Sequence, residues 1–321
     1  MYRIGIDIGG TKCAVVLGEI NGDDVKFIGT SFFPTIKDNT YITTLDKIEA
    51  EMLKIIAAAN LKAGDISSVG ISCGGPLDSK AGVIMSPPNL IGWDDVHITE
   101  YFETKYKIKT ILENDANACA LAEWKFGAGK GKGFGSVVFL TFGTGFGAGL
   151  ILDGRLYSGA NGMAGEIGHI RAEASGPVGY GKAGAFEGFC SGGGIAQIAR
   201  AKLLELFQAG GKTPLCDGVG DIDKVTAKDL AEAAKNGDRL AIEVYETSGA
   251  YLGRGLALLI DLLNPEMIII GSIYARCEEL LRPKCLETVK KESLAYSLAA
   301  CEIAPAALGD DIGLYAALAL E

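Results

Sequence analysis

Apolar and polar positions alternate from the second residue of the chain onward. The segment YRIGIDI at 2–8 alternates and is rich in β-branched residues, and after GGTK the segment CAVVLGEI predicts a second strand. An Asn-Gly pair at 21–22 predicts a turn, and DVKFIGTSFF predicts a third strand. The chain therefore opens with a β-hairpin followed by another strand.

A helical spacing of apolar residues follows in TTLDKIEAEMLKIIAAAN, and its apolar face comprises Leu45, Ile48, Met52, Ile55 and Ile56. SSVGISCGG and KTILEND then predict buried strands, and ANACALAEWKFG predicts a helix. Beyond residue 190 the pattern is mainly helical, apart from a strand at EMIIIGS. Strands and helices that follow one another in this way indicate an α/β protein.

The opening pattern occurs a second time in GSVVFLTFGTGFGAGLILDGRL. When Asp7–Thr11 is placed over Thr141–Gly145, both copies contain a strand, a tight Gly/Thr turn and a second strand. Internal similarity of this kind predicts two domains that share one topology.

The two Gly/Thr turns are candidate phosphate-binding sites. Their backbone N–H groups and hydroxyls can face an anion, and glycine permits close approach. Asp7 could hold Mg²⁺ through water. Each turn alone could equally be a simple hairpin turn, but as a pair they favour a nucleotide. The candidate residues are Gly9, Gly10, Thr11, Lys12, Gly143, Thr144 and Gly145.

Two further glycine-rich segments resemble nucleotide-binding motifs but do not match them. GAGKGKG at 127–133 lacks the spacing of a Walker loop, which indicates a connection between elements. FGTGFGAG has Ala148 where a dinucleotide fingerprint needs its third glycine, and a strand rather than a helix is predicted after it.

Candidate acceptor chemistry lies in LENDANACALAE, where Asp115 follows a strand and precedes a helix. A carboxylate there could accept the proton of an attacking hydroxyl group. The alternative, which the local sequence favours, is that Asp115 caps the helix. Polar groups that could surround a polyol are Asn89, Glu166, His169 and Glu187, and each could instead be a structural or turn residue.

The bulk properties exclude some classes of function. The 321 residues carry a formal net charge of -10, which argues against binding to nucleic acid or anionic lipid. The sequence shows no secretion signal and no uninterrupted apolar stretch of membrane-spanning length. Its 8 cysteines are scattered. We expect a cytoplasmic protein with reduced thiols and no membrane partner.

Together these segments resemble the ROK family of repressors and sugar kinases, within the actin, Hsp70 and hexokinase superfamily. The matching motifs are DIGGTK, GGPLD, PNLIGW, ENDANACALAE, TFGTGFGAGLILDG, GEIGHI and LLNPEMIIIG. The resemblance implies a two-domain actin-like ATPase (ribonuclease H-like) α/β fold with a cleft between the domains. We expect domains at 1–116 and 117–309, with a C-terminal helix at 310–321 that packs on the first.

The resemblance also assigns roles to individual residues. It implies that Asp115 is the catalytic base, whether or not it also caps the helix, and that ATP and Mg²⁺ bind at the two turns. The sugar-contacting residues that it implies are Asn89, Asn114, Glu166, His169 and Glu187.

The sequence departs from the family pattern in two places. Zinc-binding members carry three cysteines after the histidine, but here the stretch VGYGKAGAFE has none, so we expect no zinc. Ser272 stands where the family commonly has a second glycine, which indicates a change at the adenine end of the pocket. The repressors carry a winged helix before the first turn, and none is expected here.

These observations predict an ATP-dependent hexose kinase that phosphorylates glucose, most simply at O6, and that forms a homodimer. Fructose, allose, mannose and N-acetylhexosamines remain alternative substrates. A hypothesis of another class is a sugar-responsive binding protein that lacks catalysis.

Overall fold

The computed structural model describes residues 1–36 and 40–321, and it contains both helices and sheets. The strands are β1 Tyr2–Ile8, β2 Lys12–Asn21, β3 Asp24–Pro34, β4 Ile66–Cys73, β5 Leu77–Asp78, β6 Val83–Ile84, β7 Val96–His97, β8 Thr110–Asn114, β9 Val137–Phe142, β10 Phe146–Leu152, β11 Arg155–Leu156, β12 Val178–Gly179, β13 Lys182–Ala183, β14 Met267–Ile270 and β15 Glu302–Pro305. The helices are α1 Ile42–Ala58, α2 Ile98–Tyr106, α3 Asp115–Lys125, α4 Phe186–Phe189, α5 Gly192–Gln208, α6 Ala227–Lys235, α7 Arg239–Leu263, α8 Ile273–Arg276, α9 Glu278–Glu292, α10 Ala295–Ala299 and α11 Ile312–Ala319.

The chain divides into two compact units. Unit 1 consists of residues 1–135, 149–164 and 307–321, and unit 2 consists of residues 136–148 and 165–306. The domain limits expected from the sequence stay a prediction.

A five-stranded sheet forms the centre of unit 1, in the order β3-β2-β1-β4-β8. Strands β1, β4 and β8 are parallel, and β2 is antiparallel to both of its neighbours. The side chains of β2 alternate between the two faces of the sheet, as expected for a strand. Val15 and Leu17 pack with the apolar face of α1, whereas Val16 packs with Leu314 and Leu318 of α11. The predicted face of α1 is buried as expected.

Unit 2 contains a parallel sheet in which β14 lies between β9 and β15. Strand β10 lies beside β9 in the strand order, and its end pairs antiparallel with β11. All four residues of β14 are buried, which explains why the strand is a continuous apolar stretch. Helices α7 and α9 pack against each other in this unit.

Along the described residues, no helix is both long enough and apolar enough to cross a lipid bilayer.

Candidate functional site

The carboxyl ends of three parallel strands bring polar residues to one edge of the unit 1 sheet. In the register of the sheet Asp7 of β1 lies beside Ser72 of β4, and Cys73 of β4 lies beside Asn114 of β8. Ligands of open α/β sheets bind at such carboxyl ends. The strand order therefore places Asp7, Ser72 and Asn114 at a common edge.

Helix α3 begins at this edge. Asn114 has extended dihedral angles, φ -61° and ψ 144°, and its side chain accepts a hydrogen bond from the Ala116 amide at 3.0 Å. Asn114 is therefore the N-cap, and the interpretation of Asp115 as the cap is wrong, because Asp115 already belongs to the first helical turn. Its Oδ1 still accepts from the Ala116 amide at 2.8 Å.

A buried carboxylate that the sequence analysis missed organises the start of α3. Glu113 Oε1 accepts hydrogen bonds from the Asn114 amide at 2.9 Å, from Asn117 Nδ2 at 3.0 Å and from Ser79 Oγ at 3.1 Å. The signal in the sequence that could have pointed to Glu113 is its position directly before Asn114. Glu113 fixes the backbone from which Asn114 and Asp115 project.

Asp7 and Asp115 line one cavity of about 280 Å³ in unit 1. Its other polar lining residues are Lys12, Ser72, Cys119 and Asp310. The Nζ of Lys12 lies 4.9 Å from the ring centre of Phe32, which also lines the cavity. The cavity thus combines two carboxylates at the strand ends with the cation of the first Gly/Thr turn.

Both carboxyl groups have raised pKa values. Burial, followed by the charge of Asp115, raises the pKa of Asp7 to about 6, although Lys12 and a hydrogen bond to Ser72 act in the opposite direction. Asp115 opens on to the cavity, but the surrounding protein atoms desolvate it and so raise its pKa. The two carboxylates supply oxygen ligands of the kind that suit Mg²⁺, which typically uses one or two carboxylates together with substrate phosphates.

The first Gly/Thr turn closes through a hydrogen bond from the Gly9 amide to the Lys12 carbonyl at 3.0 Å. Gly10 lies against Asn89, because a Cβ built on Gly10 would lie 2.6 Å from the Asn89 Cβ and 2.7 Å from its carbonyl oxygen. A side chain larger than glycine does not fit there without a shift of the backbone. The structure therefore brings Asn89 and the Gly9–Lys12 turn together.

The second Gly/Thr turn lies in unit 2. The Gly143 amide donates to the Gly145 carbonyl at 3.0 Å, and the Gly143 carbonyl accepts from the Gly192 amide at 2.9 Å. Thr144, at the tip of the turn, is exposed. As predicted, a strand rather than a helix follows the turn, which excludes the dinucleotide fingerprint.

Glu187, His169 and Glu166 lie close to the second turn. Glu187 Oε2 accepts a hydrogen bond from the Phe146 amide at 3.1 Å, directly after the turn. The Gly165 carbonyl accepts from the Ala148 amide at 2.9 Å, which fixes the segment that leads to Glu166. The His169 amide donates to the Glu166 carbonyl at 3.1 Å in a short 3₁₀ turn.

The β12–β13 hairpin supports His169. Lys182 Nζ donates to the His169 carbonyl at 2.7 Å, and the His169 ring meets the Tyr180 ring edge-on with centres 6.1 Å apart. Gln197 holds the same hairpin, since its side chain bonds both the amide and the carbonyl of Val178, at 2.8 and 2.9 Å. The imidazole itself is exposed and thus open to a ligand.

The predicted site residues therefore form one group in each unit. In unit 1 these residues are Asp7, Gly9, Gly10, Thr11, Lys12, Asn89, Asn114 and Asp115. In unit 2 they are Gly143, Thr144, Gly145, Glu166, His169 and Glu187. Within 1–36 and 40–321, no three or more His, Cys, Asp or Glu side chains are grouped so as to hold a metal ion. The absence of zinc stays a prediction.

Comparison with known proteins identifies the family. The model of the ROK family matches residues 3–321. This chain belongs to the ROK family. The glucokinase of Halalkalibacterium halodurans is 32% identical over 323 residues, which cover 98% of this ROK protein and 92% of the relative. The family resemblance and the α/β fold class are thereby confirmed.

Other relatives include both kinases and repressors. The crystal structure of a ROK family glucokinase from Streptomyces griseus in complex with glucose and AMPPNP superposes with a TM-score of 0.71 at 28% identity, covering 99% of this ROK protein and 98% of that chain. The xylose repressor of Caldicellulosiruptor bescii is 28% identical over 302 residues, which cover 90% of this chain and 70% of the repressor.

Proposed function

We propose that this ROK protein is an ATP-dependent hexose kinase that transfers the γ-phosphoryl group of ATP to a sugar hydroxyl. The observation that carries the proposal is the placement of Asp115 in the first turn of α3, where it lines one cavity with Asp7 and Lys12. The glucokinase relatives support a sugar substrate, and the AMPPNP complex of the Streptomyces griseus enzyme supports a nucleotide donor.

Asp115 is the proposed general base. Phosphoryl transfer to an alcohol requires a group that accepts the hydroxyl proton as the oxygen attacks the phosphorus atom. Desolvation raises the pKa of Asp115, which makes its carboxylate a better proton acceptor than a fully hydrated one. The hydrogen bonds around Glu113 and Asn114 hold the start of α3 in place during this transfer.

The two Gly/Thr turns are the proposed binding sites for the phosphate groups. Backbone amides of the two turns, other than those of Gly9 and Gly143 that close them, would offset the negative charge of the triphosphate together with the Lys12 ammonium group. Asp7 would hold Mg²⁺ through water, and the ion would neutralise charge on the phosphate oxygens. A cation bound there would stabilise the ionised form of Asp7 and so lower its pKa from the value of about 6 that burial and Asp115 give it.

For the sugar we propose Asn89, Asn114, Glu166, His169 and Glu187 as contacting residues. Together they offer carboxylate, amide and imidazole groups, which suit a ring with several hydroxyls whose burial requires hydrogen-bond partners. Glucose, phosphorylated at O6, is the proposed substrate. Mannose, fructose, allose and the N-acetylhexosamines are the alternatives, since further pocket contacts decide among them.

The test is a panel of acceptors, with phosphoryl transfer measured as ADP release in the presence of ATP and Mg²⁺. The panel consists of glucose, mannose, fructose, allose, N-acetylglucosamine and N-acetylmannosamine. We expect the highest kcat/KM with glucose, mass spectrometry of the product to show the addition of one phosphoryl group, and NMR to place it at O6. If another sugar gives a higher kcat/KM than glucose, that sugar is the preferred substrate, and the protein is still a hexose kinase.

A sugar-responsive binding protein is the second candidate, and the similarity to the xylose repressor supports it. The same panel separates the two functions. If one of the sugars raises the thermal stability of the protein but no sugar leads to ADP release, the result favours a sugar-responsive binding protein.

The remaining proposals are a homodimer, a cytoplasmic location, no nucleic-acid or membrane partner, and no bound zinc. Light scattering of the purified protein tests the dimer. Elemental analysis after dialysis tests the zinc prediction, and about one zinc per chain would contradict it.

A further inference from the structure

A two-residue turn places an exposed tyrosine beside His169. Strands β12 and β13 form a hairpin in which Gly179 pairs with Lys182, so Tyr180 and Gly181 form the turn. Both turn residues have positive φ, 44° and 75°, which is the pattern of a type I′ turn. The first position of such a turn favours asparagine, aspartate or glycine, because other side chains rarely adopt positive φ. Turn geometry therefore does not explain a tyrosine at this position.

The side chain of Tyr180 contacts the His169 ring. The two ring centres lie 6.1 Å apart and the ring planes meet at 77°, which is an edge-on arrangement. Aromatic rings attract each other in this arrangement, beyond the effect of the area that they bury. Tyr180 is 79% exposed, so burial in the core does not hold it in place. The contact restricts the orientation of an imidazole that is otherwise open to solvent.

Hydrogen bonds fix the backbone from which Tyr180 projects. The Gln197 side chain of α5 accepts from the Val178 amide at 2.8 Å and donates to the Val178 carbonyl at 2.9 Å. Lys182 Nζ donates to the His169 carbonyl at 2.7 Å, which joins the second strand of the hairpin to the His169 segment. The Tyr180 ring is thus carried by a hairpin that is tied to the residue it contacts.

The same hairpin packs on the segment that carries Glu187. A Cβ built on Gly179 would lie 2.6 Å from the Gly188 amide nitrogen and 2.7 Å from the Glu187 Cβ, so the strand lies directly against this backbone. The hairpin therefore contacts both His169 and Glu187, the two proposed sugar-contacting residues on either side of it in the sequence.

We propose that Tyr180 is a positioning residue for the acceptor sugar, whose ring orients the His169 imidazole toward a sugar hydroxyl, an inference that rests on the proposed kinase function. It accounts for a tyrosine at a turn position where asparagine would relieve the backbone strain. An imidazole that is oriented before the sugar arrives loses less conformational freedom on binding, so sugar affinity depends on Tyr180.

Two substitutions separate the ring from the stability of the hairpin. Tyr180→Asn creates the Asn-Gly pair that type I′ turns favour, so we expect a Tm no lower than that of the parent. The same variant lacks the ring, so KM for glucose should rise about three- to ten-fold while kcat and KM for ATP stay within about two-fold. Tyr180→Phe retains the ring and should restore KM for glucose to within about two-fold of the parent.

A double variant tests whether Tyr180 acts through His169. In a His169→Ala background Tyr180→Asn should cause no further loss of glucose affinity, measured by titration calorimetry without nucleotide. Tyr296→Asn is the matched control, since Tyr296 is an exposed tyrosine of α10, and it should leave glucose affinity unchanged. If the acceptor panel selects another hexose, that hexose replaces glucose in all these measurements.

The outcomes separate this inference from the kinase proposal. If the parent phosphorylates a hexose but Tyr180→Asn binds it within two-fold of the parent, the role of Tyr180 is wrong and the kinase stands. Weaker binding together with a lower Tm, or a further loss in the His169→Ala background, would also overturn the role of Tyr180. If the parent binds glucose but releases no ADP with any hexose, the kinase is wrong, and an affinity loss in Tyr180→Asn still supports the positioning role. If the parent neither binds a hexose nor releases ADP, both proposals are wrong.

Discussion

The carboxylates of Asp7 and Asp115 line the same cavity, and the negative charge of Asp115 adds to burial in raising the pKa of Asp7 to about 6. Asp7 comes from the first strand of the sheet and Asp115 from a helix that begins after its last parallel strand. Two desolvated carboxylates in one cavity are unfavourable when both are ionised. We infer that this electrostatic strain is retained because it prepares the cavity for a cation and a phosphorylated ligand.

The first prediction concerns stability and pH. The folded-state pKa of Asp7 lies above its ordinary value of 3.8, so the folded protein retains this proton between these pH values while the unfolded chain loses it. Stability therefore falls as the pH rises from about 4 to about 6, and the loss is complete above the folded pKa. The Asp7→Asn variant has no carboxyl group at this position to ionise, so its stability does not fall for this reason as the pH rises. We expect it to exceed the parent in stability by up to about 3 kcal/mol at pH 8.

Urea denaturation at pH 4, 6 and 8 checks this prediction. The gain of Asp7→Asn over the parent should shrink as the pH falls below about 6 and should largely vanish near pH 4. Asp46→Asn, on the exposed face of α1, is the matched control, because it removes a carboxyl group that does not line the cavity. A gain that is equal at all three pH values would contradict the electrostatic explanation.

The second prediction concerns catalysis. Asp115→Asn keeps the size of the side chain but removes the proton acceptor, so kcat should fall by about 10²–10⁴-fold. Glucose affinity, measured by calorimetry, should stay within about three-fold of the parent. Asp46→Asn again serves as control. Retention of more than a tenth of the parent kcat would show that Asp115 is not the base.

The third prediction concerns the contact between Gly10 and Asn89. Gly10→Ala introduces a Cβ only 2.6 Å from the Asn89 Cβ, so the turn or the Asn89 segment must shift. We expect destabilisation of about 1–3 kcal/mol and at least a ten-fold loss of kcat/KM. Gly64→Ala is the control, because a Cβ there meets nothing within 4 Å. Equal activity of the two variants would mean that the Gly10 turn is not part of the site.

The fourth prediction separates two roles of Glu187. Its Oε2 accepts from the partly buried Phe146 amide, so Glu187→Ala removes the partner of that amide and should cost about 1 kcal/mol of stability. Glu187→Gln retains an acceptor oxygen and should be nearly as stable as the parent. Both variants should bind glucose more weakly if the carboxylate contacts the sugar. Thermal denaturation and calorimetry check these outcomes, and unchanged glucose binding by Glu187→Gln would remove Glu187 from the sugar site.

The fifth prediction concerns the fold of unit 1. Glu123 of α3 is fully buried, and its carboxylate accepts from the amides of Ala128 at 2.9 Å, Ala307 at 3.0 Å and Leu308 at 2.9 Å. Glu123→Ala leaves these donors unpaired and should destabilise the protein by at least about 3 kcal/mol. Glu123→Gln, with one acceptor oxygen, should be less severe. Loss of less than 1 kcal/mol in the alanine variant, measured by urea denaturation, would contradict this role.

Local patterns in the sequence were sufficient to predict several of the long strands and helices. Alternation predicted β1 and β2, and helical spacing predicted the buried face of α1, because both patterns depend on which side of an element meets the core. The repeated strand–turn–strand unit likewise predicted the pairs β1–β2 and β9–β10. Motifs placed together were specific enough to identify the ROK family.

Contacts between segments that are far apart in the sequence could be identified only from the tertiary structure. Asn114 and Asp115 are both good capping residues, and only the extended backbone of Asn114 shows which of them caps α3. Ser72 reaches Asp7 through strand register, and Glu123 meets Ala307 although 184 residues separate them. The sequence by itself determined several of the long strands and helices and the family, and it proposed the types of chemical group at the site. The tertiary structure decided which groups meet, how far they are desolvated and where the backbone is strained, because these properties depend on neighbours that no local pattern encodes.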